Sequence, residues 1–371
     1  MAIYKTLVNK ISIPAEKKTR QKEYEISGQL AIVDQGRKLI GGYTNNIDML
    51  LKCDLPVIVF GDHTCTVKYI NFPFGAGADG IKVLSPKDGI FPKYLFYGTQ
   101  YLTLCFPDKG YARHYQHIEK MNLPVPDFDE QQRIVSRIEE LFSELDKGVE
   151  TLQTIKQQLK MYRQAVLKEA FVKCKTIKTS DVCVHITDGD HMPPPKAETG
   201  VPFIMISNID GNQINWNSVK YVEENYYHSI GDKRTPKFGD VLYTVTGSYG
   251  IPIRVNFNKD FCFQRHIALL RPNKRITQDF LFYALQSPDV YFQATKRATG
   301  TAQKTVGLAV LRDINIPFCE DVNMQRIIVE KIESRLSVCD SIEQTVDNAL
   351  AQVNAMRQSI LKEAFEGGFS E

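Results

Sequence analysis

Apolar residues recur at alternating spacings of four and three along two segments of the chain, which is the heptad pattern of a coiled-coil helix. In residues 129–171 this pattern predicts one continuous helix, about 65 Å long at about 1.5 Å per residue. Residues 324–365 keep the same register 194 positions later. An isolated helix with such a stripe is unstable in water, so we expect the two helices to pair with each other or with a partner.

Every second member of each stripe, at intervals of seven residues, forms the predicted helix–helix seam. Its members are Ile138, Leu145, Leu152, Leu159 and Val166 in the first helix, and Ile332, Cys339, Val346, Val353 and Ile360 in the second. The remaining members are Ile134, Leu141, Gly148, Ile155 and Tyr162, then Ile328, Arg335, Ile342, Ala349 and Met356. Two unrelated amphipathic helices, each packed on its own domain, are the alternative that this pattern leaves open.

The ends of the two helices are repeated almost unchanged. Residues 163–171 (RQAVLKEAF) reappear as residues 357–365 (RQSILKEAF), with seven of nine positions identical, which is well beyond chance. The segments before the helices repeat more faintly, and the difference between their offsets predicts a 33-residue insertion in the second copy. The corresponding segments are 81–100 with 267–286 and 57–61 with 243–247, both at an offset of 186, and 34–36 with 187–189 at an offset of 153.

The repeat predicts an α+β chain in the order head, long helix, head, long helix. We expect two mixed α/β heads in a pseudo-two-fold arrangement, separated by two long antiparallel coiled-coil helices. The predicted boundaries are 1–122 for the first head, 123–174 for the first helical region, 175–316 for the second head and 317–371 for the second helical region.

Composition adds limits rather than a function. The chain has 371 residues, 43% of them hydrophobic, and a net charge of +3, which is typical of a soluble globular protein and excludes a strongly basic nucleic-acid binder. Each helical segment carries a net charge of −1, so the heads hold the basic excess. No CxxC pair or long apolar run occurs, and we therefore expect reduced cytosolic thiols, no membrane segment and no metal site.

Basic, aromatic and hydroxyl side chains cluster in both heads, and these types suit contacts with phosphates and base edges. In the first head the candidate DNA-binding residues are Arg37, Lys38, Tyr43, His63, Thr64, Lys68, Arg113 and His114. In the second head they are His191, Ser248, Tyr249, Arg265, His266, Lys296, Arg297 and Lys304. Two heads on paired helices would read two half-sites, as a symmetric dimer does.

In the order of its motifs the chain resembles the specificity (S) subunit of type I restriction-modification systems. The resemblance covers essentially the whole chain, and its motifs are DEQQRIV at 129–135, the two KEAF helix ends, DGDH at 188–191, GDVL at 239–242 and GSYG at 247–250. The second helix departs from the family by starting with MQRI at 324–327 in place of an acidic start.

The resemblance implies a non-catalytic, cytoplasmic subunit of a prokaryotic, nucleoid-associated complex. Each head would be a target-recognition domain for one half of a bipartite, asymmetric double-stranded DNA sequence, and the helices would set the gap between the halves. Two modification (methyltransferase) subunits and the restriction (endonuclease/translocase) subunits would bind it. It would hold no cofactor itself, because S-adenosylmethionine, ATP and Mg²⁺ would be bound by those partners.

Two other hypotheses compete with DNA recognition. The glycine-rich run from Phe74 to Gly80 has a composition that suits a nucleotide loop, but a short strand rather than a helix follows it, and a turn is the more plausible structure. The second alternative is a coiled-coil adaptor that binds no DNA and whose two heads bind proteins. It needs the same helices but has no use for basic polar loops in the heads.

Overall fold

Short strands and helices alternate along the chain, and two helices are far longer than the others. The structure, a computed structural model, describes residues 1–77, 80–105, 112–191, 194–301 and 303–369. Its helices are α1 (Pro92–Leu104), α2 (Tyr115–Ile118), α3 (Phe128–Ala170), α4 (Thr179–Val182), α5 (Glu224–Ser229), α6 (Gln278–Leu285), α7 (Pro288–Arg297), α8 (Leu308–Asp313) and α9 (Val322–Phe365). The heptad pattern thus predicted α3 and α9 to within two residues. In the described ranges we find no helix that is both long and apolar enough to cross a membrane.

The first head contains two four-stranded sheets. Its strands are β1 (Ala2–Ile3), β2 (Val8–Ile11), β3 (Lys18–Thr19), β4 (Leu30–Val33), β5 (Gly42–Thr44), β6 (Val57–Gly61), β7 (Val67–Ile70), β8 (Phe74–Gly77), β9 (Ile81–Pro86) and β10 (Asn122–Leu123). One sheet, in the order β2-β9-β6-β7, is entirely antiparallel. The other, β3-β8-β4-β5, is parallel on both sides of β8. Tyr94 and Leu95 of α1 pack on Ile58 and Phe60 of β6 in one apolar core.

The second head repeats this plan. Its strands are β11 (Lys175–Lys178), β12 (Cys183–Asp188), β13 (Lys196–Ala197), β14 (Val201–Ile204), β15 (Ile209–Asp210), β16 (Gln213–Ile214), β17 (Lys220–Val222), β18 (Val241–Thr244), β19 (Pro252–Arg254), β20 (Cys262–Phe263), β21 (Ile267–Pro272) and β22 (Asn315–Phe318). The antiparallel sheet has the order β12-β21-β18-β19, and the mixed sheet has the order β13-β17-β14-β20. Both heads therefore use the same two-sheet arrangement.

The hydrogen-bond registers correct the predicted alignment of the heads. Ile58 lies opposite Leu84 in the first head, and Val241 lies opposite Leu270 in the second. Leu84 and Leu270 are 186 residues apart, whereas Ile58 and Val241 are only 183 apart. The proposed match of 57–61 with 243–247 is therefore wrong by three residues, which the second head accommodates between β18 and β21.

The proposed match of residues 34–36 with 187–189 is also wrong, because the two segments belong to different sheets. Asp188 ends β12, which pairs with β21, whereas Asp34 follows β4, which pairs with β5 and β8. The counterpart of β4 is β14, which lies parallel to β20 as β4 lies parallel to β8. A single 33-residue insertion therefore does not describe the difference. The second head also has the β15–β16 hairpin, for which the described part of the first head has no counterpart.

The chain divides into two units that do not follow the boundaries drawn from the repeat. The first unit comprises Met1–Gln153 and Asp347–Glu371, and the second comprises Thr154–Val346. Each unit contains one head together with part of α3 and part of α9. The predicted boundaries had given each long helix a region of its own.

A buried glutamine ties the start of α3 to the first head. The side chain of Gln131 is fully buried. Its Oε1 accepts a hydrogen bond from the N–H of Phe91 at 2.8 Å, and its Nε2 donates to the carbonyls of Gly89 at 3.0 Å and Pro126 at 2.9 Å. One amide thus satisfies three main-chain groups that would otherwise be buried without partners.

Gln325 repeats this contact at the start of α9 in the second unit. It is also fully buried, accepts from the N–H of Thr277 at 2.9 Å and donates to the carbonyls of Arg275 and Cys319, both at 2.7 Å. The two glutamines are 194 residues apart, the offset of the helix repeat. The duplication therefore extends to the way each helix is attached to its head.

Ion pairs show that the helices run antiparallel within each unit. In the second unit, Arg163 donates to Asp340 at 2.6 Å and to Glu343 at 2.8 Å, while Glu169 accepts from Arg335 at 2.7 Å. Partners on α9 thus come earlier as residues on α3 come later. In the first unit, Arg357 of α9 pairs with Asp146 of α3. The fold class predicted from the repeat is confirmed in its mixed α and β content and its long antiparallel helices.

The two halves of the heptad stripe differ in burial. All ten residues of the predicted seam are buried or half-buried, and Ile138, Ile332 and Cys339 are almost completely so. In the other half, by contrast, Tyr162, Ile342 and Met356 are exposed, at 44%, 41% and 51%. The apolar contact is therefore narrower than a full two-residue heptad stripe, and the expectation for these three positions was wrong.

A charge placed in the seam should destabilise the chain. Val346 is 4% exposed and Val338, on the same helix, is 58% exposed. We expect Val346→Asp to lower the free energy of unfolding by about 2–4 kcal/mol, since it buries an unpaired carboxylate, whereas Val338→Asp should change it by less than about 0.5 kcal/mol. Urea titration followed by circular dichroism measures both. Equal effects of the two substitutions would place the helix–helix contact elsewhere.

Candidate nucleic-acid interface

Three loops of the first head meet beyond the end of β6, and we call residues 34–41, 61–66 and 112–115 the first loop cluster. The Oγ1 of Thr64 donates to the carbonyl of Gln35 at 2.6 Å, which joins the first two loops. The N–H of His114 donates to the carbonyl of Asp62 at 2.9 Å, which joins the third. Main-chain contacts therefore hold these loops together whatever their exposed side chains are.

Asp62 is the centre of this cluster. Its carboxylate accepts from the N–H of Tyr115 at 2.9 Å and lies 3.1 Å from the ammonium of Lys82. Burial by itself would raise the pKa of the Asp62 carboxyl, but these two partners outweigh it and hold the pKa below its usual value. The carboxylate is therefore charged at neutral pH and braces the third loop.

The second head has a corresponding second loop cluster, formed by residues 188–191, 245–250, 264–266, 299–301 and 303–306. The N–H of Val306 donates to the carbonyl of Val245 at 2.8 Å, and the N–H of Gly247 donates to the carbonyl of Lys304 at 3.0 Å. The N–H of Arg265 reaches the carbonyl of Asp190 at 3.0 Å. The loops at the end of β18 are thus held in the same way as those at the end of β6.

One pair of hydrogen bonds makes the correspondence of the clusters explicit. Asp62 donates its N–H to the carbonyl of Gly80 and Val245 donates to that of His266, at 2.6 and 2.9 Å. Gly80 and His266 are 186 residues apart, and Asp62 and Val245 are 183 apart, which are the offsets of β9 with β21 and β6 with β18. The main-chain frame is therefore repeated, whereas the carboxylate of Asp62 is replaced by the apolar side chain of Val245.

Most of the candidate residues in the first head lie in or beside the first loop cluster. Arg37, Lys38, Thr64 and Arg113 are exposed there, and His63 is half-buried with its Nδ1 3.1 Å from the carbonyl of Ala112. Tyr43 is half-buried in β5. Four basic or polar side chains thus share one exposed surface.

Lys68 and His114 correct the prediction, because both are buried. The ammonium of Lys68 donates to the carbonyl of Asp34 at 2.7 Å and lies 3.5 Å from its carboxylate. Burial lowers the pKa of Lys68 despite this partner. The Nδ1 of His114 lies 3.0 Å from the carbonyl of Asp62. Both side chains support the loops from beneath and do not reach the surface.

In the second head the candidate residues are mostly exposed but differ in how they are held. Arg265, Lys296, Lys304 and Ser248 are exposed. His191 is also exposed, and its Nε2 lies 2.8 Å from the carboxylate of Asp188. A separate ion pair joins Arg297 to Asp313 at 2.8 Å, which leaves Arg297 less free to turn towards a ligand.

Tyr249 and His266 are the half-buried candidates of the second head. Tyr249 donates to Thr295 at 3.1 Å. Its ring stacks on Tyr291, with centroids 5.8 Å apart and planes at 15°. Burial and the neighbouring Arg265 lower the pKa of His266, so its imidazole is neutral at neutral pH. A neutral imidazole suits a hydrogen bond to a base edge better than pairing with a phosphate.

The glycine-rich run of the first head does not form a nucleotide loop or the expected turn. Its described start, Phe74–Gly77, is strand β8, buried between β3 and β4. A Cβ on Gly75 would lie 2.7 Å from Ile32, so glycine allows the neighbouring strands to pack. Ala78 and Asp79 lie outside the described residues. No group of three or more possible metal ligands occurs in the part of the chain that the structure describes.

Comparison with known proteins assigns the family. The family model of the type I restriction modification DNA specificity domain matches residues 10–161 and 172–352, once in each half of the chain. The chain belongs to this family. Each match includes one head and most of the helix that follows it, so the specificity domain of the family is a head with its helix.

Curated relatives and a solved structure agree with the assignment. The type I restriction enzyme EcoBI specificity subunit of Escherichia coli is 27% identical over 275 residues, covering 66% of this chain and 58% of the relative. The EcoKI specificity subunit of Escherichia coli strain K12 is 26% identical over 278 residues, covering 67% and 57%. The chain thus spans less than two thirds of the length of these relatives. A chain from a structural study of complex assembly and conformational transition in the type I R-M system superposes with a TM-score of 0.67 at 16% identity, covering 98% of this chain and 96% of that one. This likeness shows a shared fold.

Two features of this specificity-domain protein escaped the sequence analysis. Tyr291 and Phe292 expose 50% and 68% of their surface on α7, beside Tyr249. Gly250, at a φ of +94°, leaves room for Tyr291, because a Cβ there would lie 2.8 Å from its ring. Two consecutive exposed aromatics near a helix end were the available signal. The other feature is a cavity of about 220 Å³ whose rim includes Lys196, Lys220 and Arg265.

Acid should loosen the first head through Asp62. Because the pKa of Asp62 is lowered in the folded state, its contribution is complete above about pH 4 and is lost as the pH falls through the lowered value. We expect Asp62→Asn to lower the free energy of unfolding by about 1–3 kcal/mol at pH 7 and to flatten its fall between pH 5 and 2. Denaturant titrations at several pH values measure this. The exposed Asp54 supplies the control Asp54→Asn, and identical acid profiles for both variants would contradict the assigned role.

Proposed function

We propose that the chain is the DNA-recognition subunit of a type I restriction-modification complex and reads a bipartite, asymmetric sequence. The observation that carries the proposal is the duplicated loop cluster, which presents exposed basic and polar side chains in each head. The curated relatives, which are specificity subunits, support it. Each head would bind one half-site.

Different side chains on the same main-chain frame explain how the two half-sites would differ. The first loop cluster offers Arg37, Lys38 and Arg113, and the second offers Arg265 and Lys304 with the stacked Tyr249. Arginine can donate two hydrogen bonds to guanine, lysine is a point charge for phosphate, and an aromatic ring can contact a thymine methyl. Two such different sets would not select the same bases.

Catalysis, in this proposal, belongs to the partners. The chain binds two modification subunits and the restriction subunits in the cytoplasm of a prokaryotic cell, and it remains non-catalytic itself. S-adenosylmethionine, ATP and Mg²⁺ are held by those partners. The target adenine must leave the duplex to be methylated, which the modification subunit accomplishes after this chain has positioned it.

Methylome sequencing identifies the target. A host that carries the matching modification genes should show a bipartite methylated motif that disappears when the gene for this chain is deleted. Persistence of every motif would overturn the proposal, and capture of proteins but no DNA by the purified chain would indicate the adaptor function.

The identified duplex then tests the division between heads. We expect Arg37→Ala and Arg265→Ala each to weaken binding by about 1–3 kcal/mol, roughly tenfold or more in Kd, and to relax base preference in different half-sites. Fluorescence anisotropy with duplexes altered in one half-site at a time measures both effects. Arg326→Ala, at an exposed position of α9, is the control and should leave the affinity unchanged. Loss of selectivity in both half-sites from one substitution would contradict one head for each half-site.

Two lysines of the first head separate surface contact from internal support. Lys38 is exposed and Lys68 is 4% exposed. We expect Lys38→Met to reduce the slope of log K against log salt concentration by about one, because one phosphate contact is lost. Lys68→Met should leave the slope unchanged but lower the free energy of unfolding by about 1–3 kcal/mol. The reverse pattern would show that the loops carry the lysines differently.

A further inference from the structure

Two cysteines face each other where the second head joins its helices, away from the loop clusters. Cys174 directly precedes β11 and Cys319 directly follows β22. The two strands are antiparallel, with Lys175 opposite Phe318. Continuing this register by one residue places Cys174 opposite Cys319. Both are free thiols of intermediate exposure.

The hydrogen-bond pattern puts this pair where opposite residues approach most closely. The N–H of Thr179 donates to the carbonyl of Ile314 at 3.0 Å, which marks a hydrogen-bonded position, and the two types of position alternate from there. Thr176 consequently faces Pro317, which has no N–H, at a non-hydrogen-bonded position. Two residues further along, the cysteines occupy the same type of position, where opposite Cα atoms lie about 4.5 Å apart. Disulfides form at Cα separations of about 4.4–6.8 Å.

Both cysteines are held by main-chain hydrogen bonds. The N–H of Cys174 donates to the carbonyl of Phe171 at 2.9 Å, and the carbonyl of Cys319 accepts from the buried amide of Gln325 at 2.7 Å. Little conformational freedom is therefore lost when their sulfur atoms meet.

A groove leads from the surface to both thiols. It has a volume of about 1,020 Å³ and is lined by Cys174 and Cys319 together with Val172, Met324 and Ile328. Burial, and next the nearby Cys319, raise the pKa of the Cys174 thiol. Small oxidants can reach the pair, but the raised pKa makes reaction slower at neutral than at alkaline pH, since the thiolate is the reactive form.

We propose that Cys174 and Cys319 are an oxidative modification site that a peroxide converts into an intramolecular disulfide. Hydrogen peroxide oxidises one thiolate to a sulfenic acid, and its O–O bond breaks. The second thiol then attacks that sulfur, which forms the S–S bond and releases water. Two thiols and one peroxide yield one disulfide and two waters. An added dithiol reverses the reaction by exchange.

The site belongs to the second unit alone. In the first unit the carbonyl that corresponds to Cys319, as acceptor of the glutamine amide, is that of Pro126. A disulfide would join the segment that leaves α3 to the segment that enters α9. Because it would close a long loop of chain, oxidation should stabilise the second unit. The inference does not depend on the proposed DNA recognition.

Peptide mapping of the full chain tests the site. The reduced protein is treated with limiting hydrogen peroxide at pH 8, alkylated and digested without reductant. We expect a linked peptide that contains Cys174 and Cys319, an intact mass lower by two hydrogens, and reversal of both by dithiothreitol. The link should persist in Cys105→Ser, which removes an exposed thiol, and disappear in Cys174→Ser.

Thermal unfolding provides an independent readout. Oxidation should raise the Tm of the second unit by about 5 °C or more in the natural chain and in Cys105→Ser, but not in Cys174→Ser or Cys319→Ser. Sulfinic acids without a linked peptide, or links only between separate chains, would overturn the proposal. The peptide map of the natural chain is decisive even if a serine variant fails to fold.

Discussion

The attachment of each long helix to its head rests on a single buried amide. Gln131 and Gln325 each satisfy one N–H and two carbonyls of the main chain that no water can reach. Leaving such groups unpaired costs more than most surface contacts return, so the helix must begin where the amide fits. The position of the helix start in turn fixes which of its faces meets the other helix. The seam and the ion pairs of Arg163 and Arg357 follow from that choice.

The heads show a similar separation between a repeated frame and variable side chains. The bond from His114 to Asp62 and the bond from Val306 to Val245 are the same main-chain contact in two heads. Around it the side chains differ in charge and shape, as Asp62 and Val245 do. Loops fixed through their main chain can exchange exposed side chains without moving. Such a design suits a family in which the frame is shared and the bound sequence is not.

The sequence predicted the helices well because the heptad pattern is local and periodic, and the repeat of residues 163–171 placed both of them. It aligned β6 and β18 three residues out of register, since strand register depends on hydrogen bonds to β9 and β21 that come later in the chain. Arg37 and Arg265 were placed at the surface as expected. Lys68 and His114 were not, because burial of a polar side chain depends on partners such as Asp34 and the carbonyl of Asp62.

The division into units also bears on the order of folding during synthesis. The second unit, Thr154–Val346, is continuous in the chain, whereas the first unit combines Met1–Gln153 with Asp347–Glu371. The ribosome therefore releases all parts of the second unit before it has made the segment of α9 that packs Leu361 and Phe365 against the first head. Domains fold as their chains emerge. The head that is translated first is thus the one completed last, and its apolar surface stays uncovered for the whole of the second unit's synthesis.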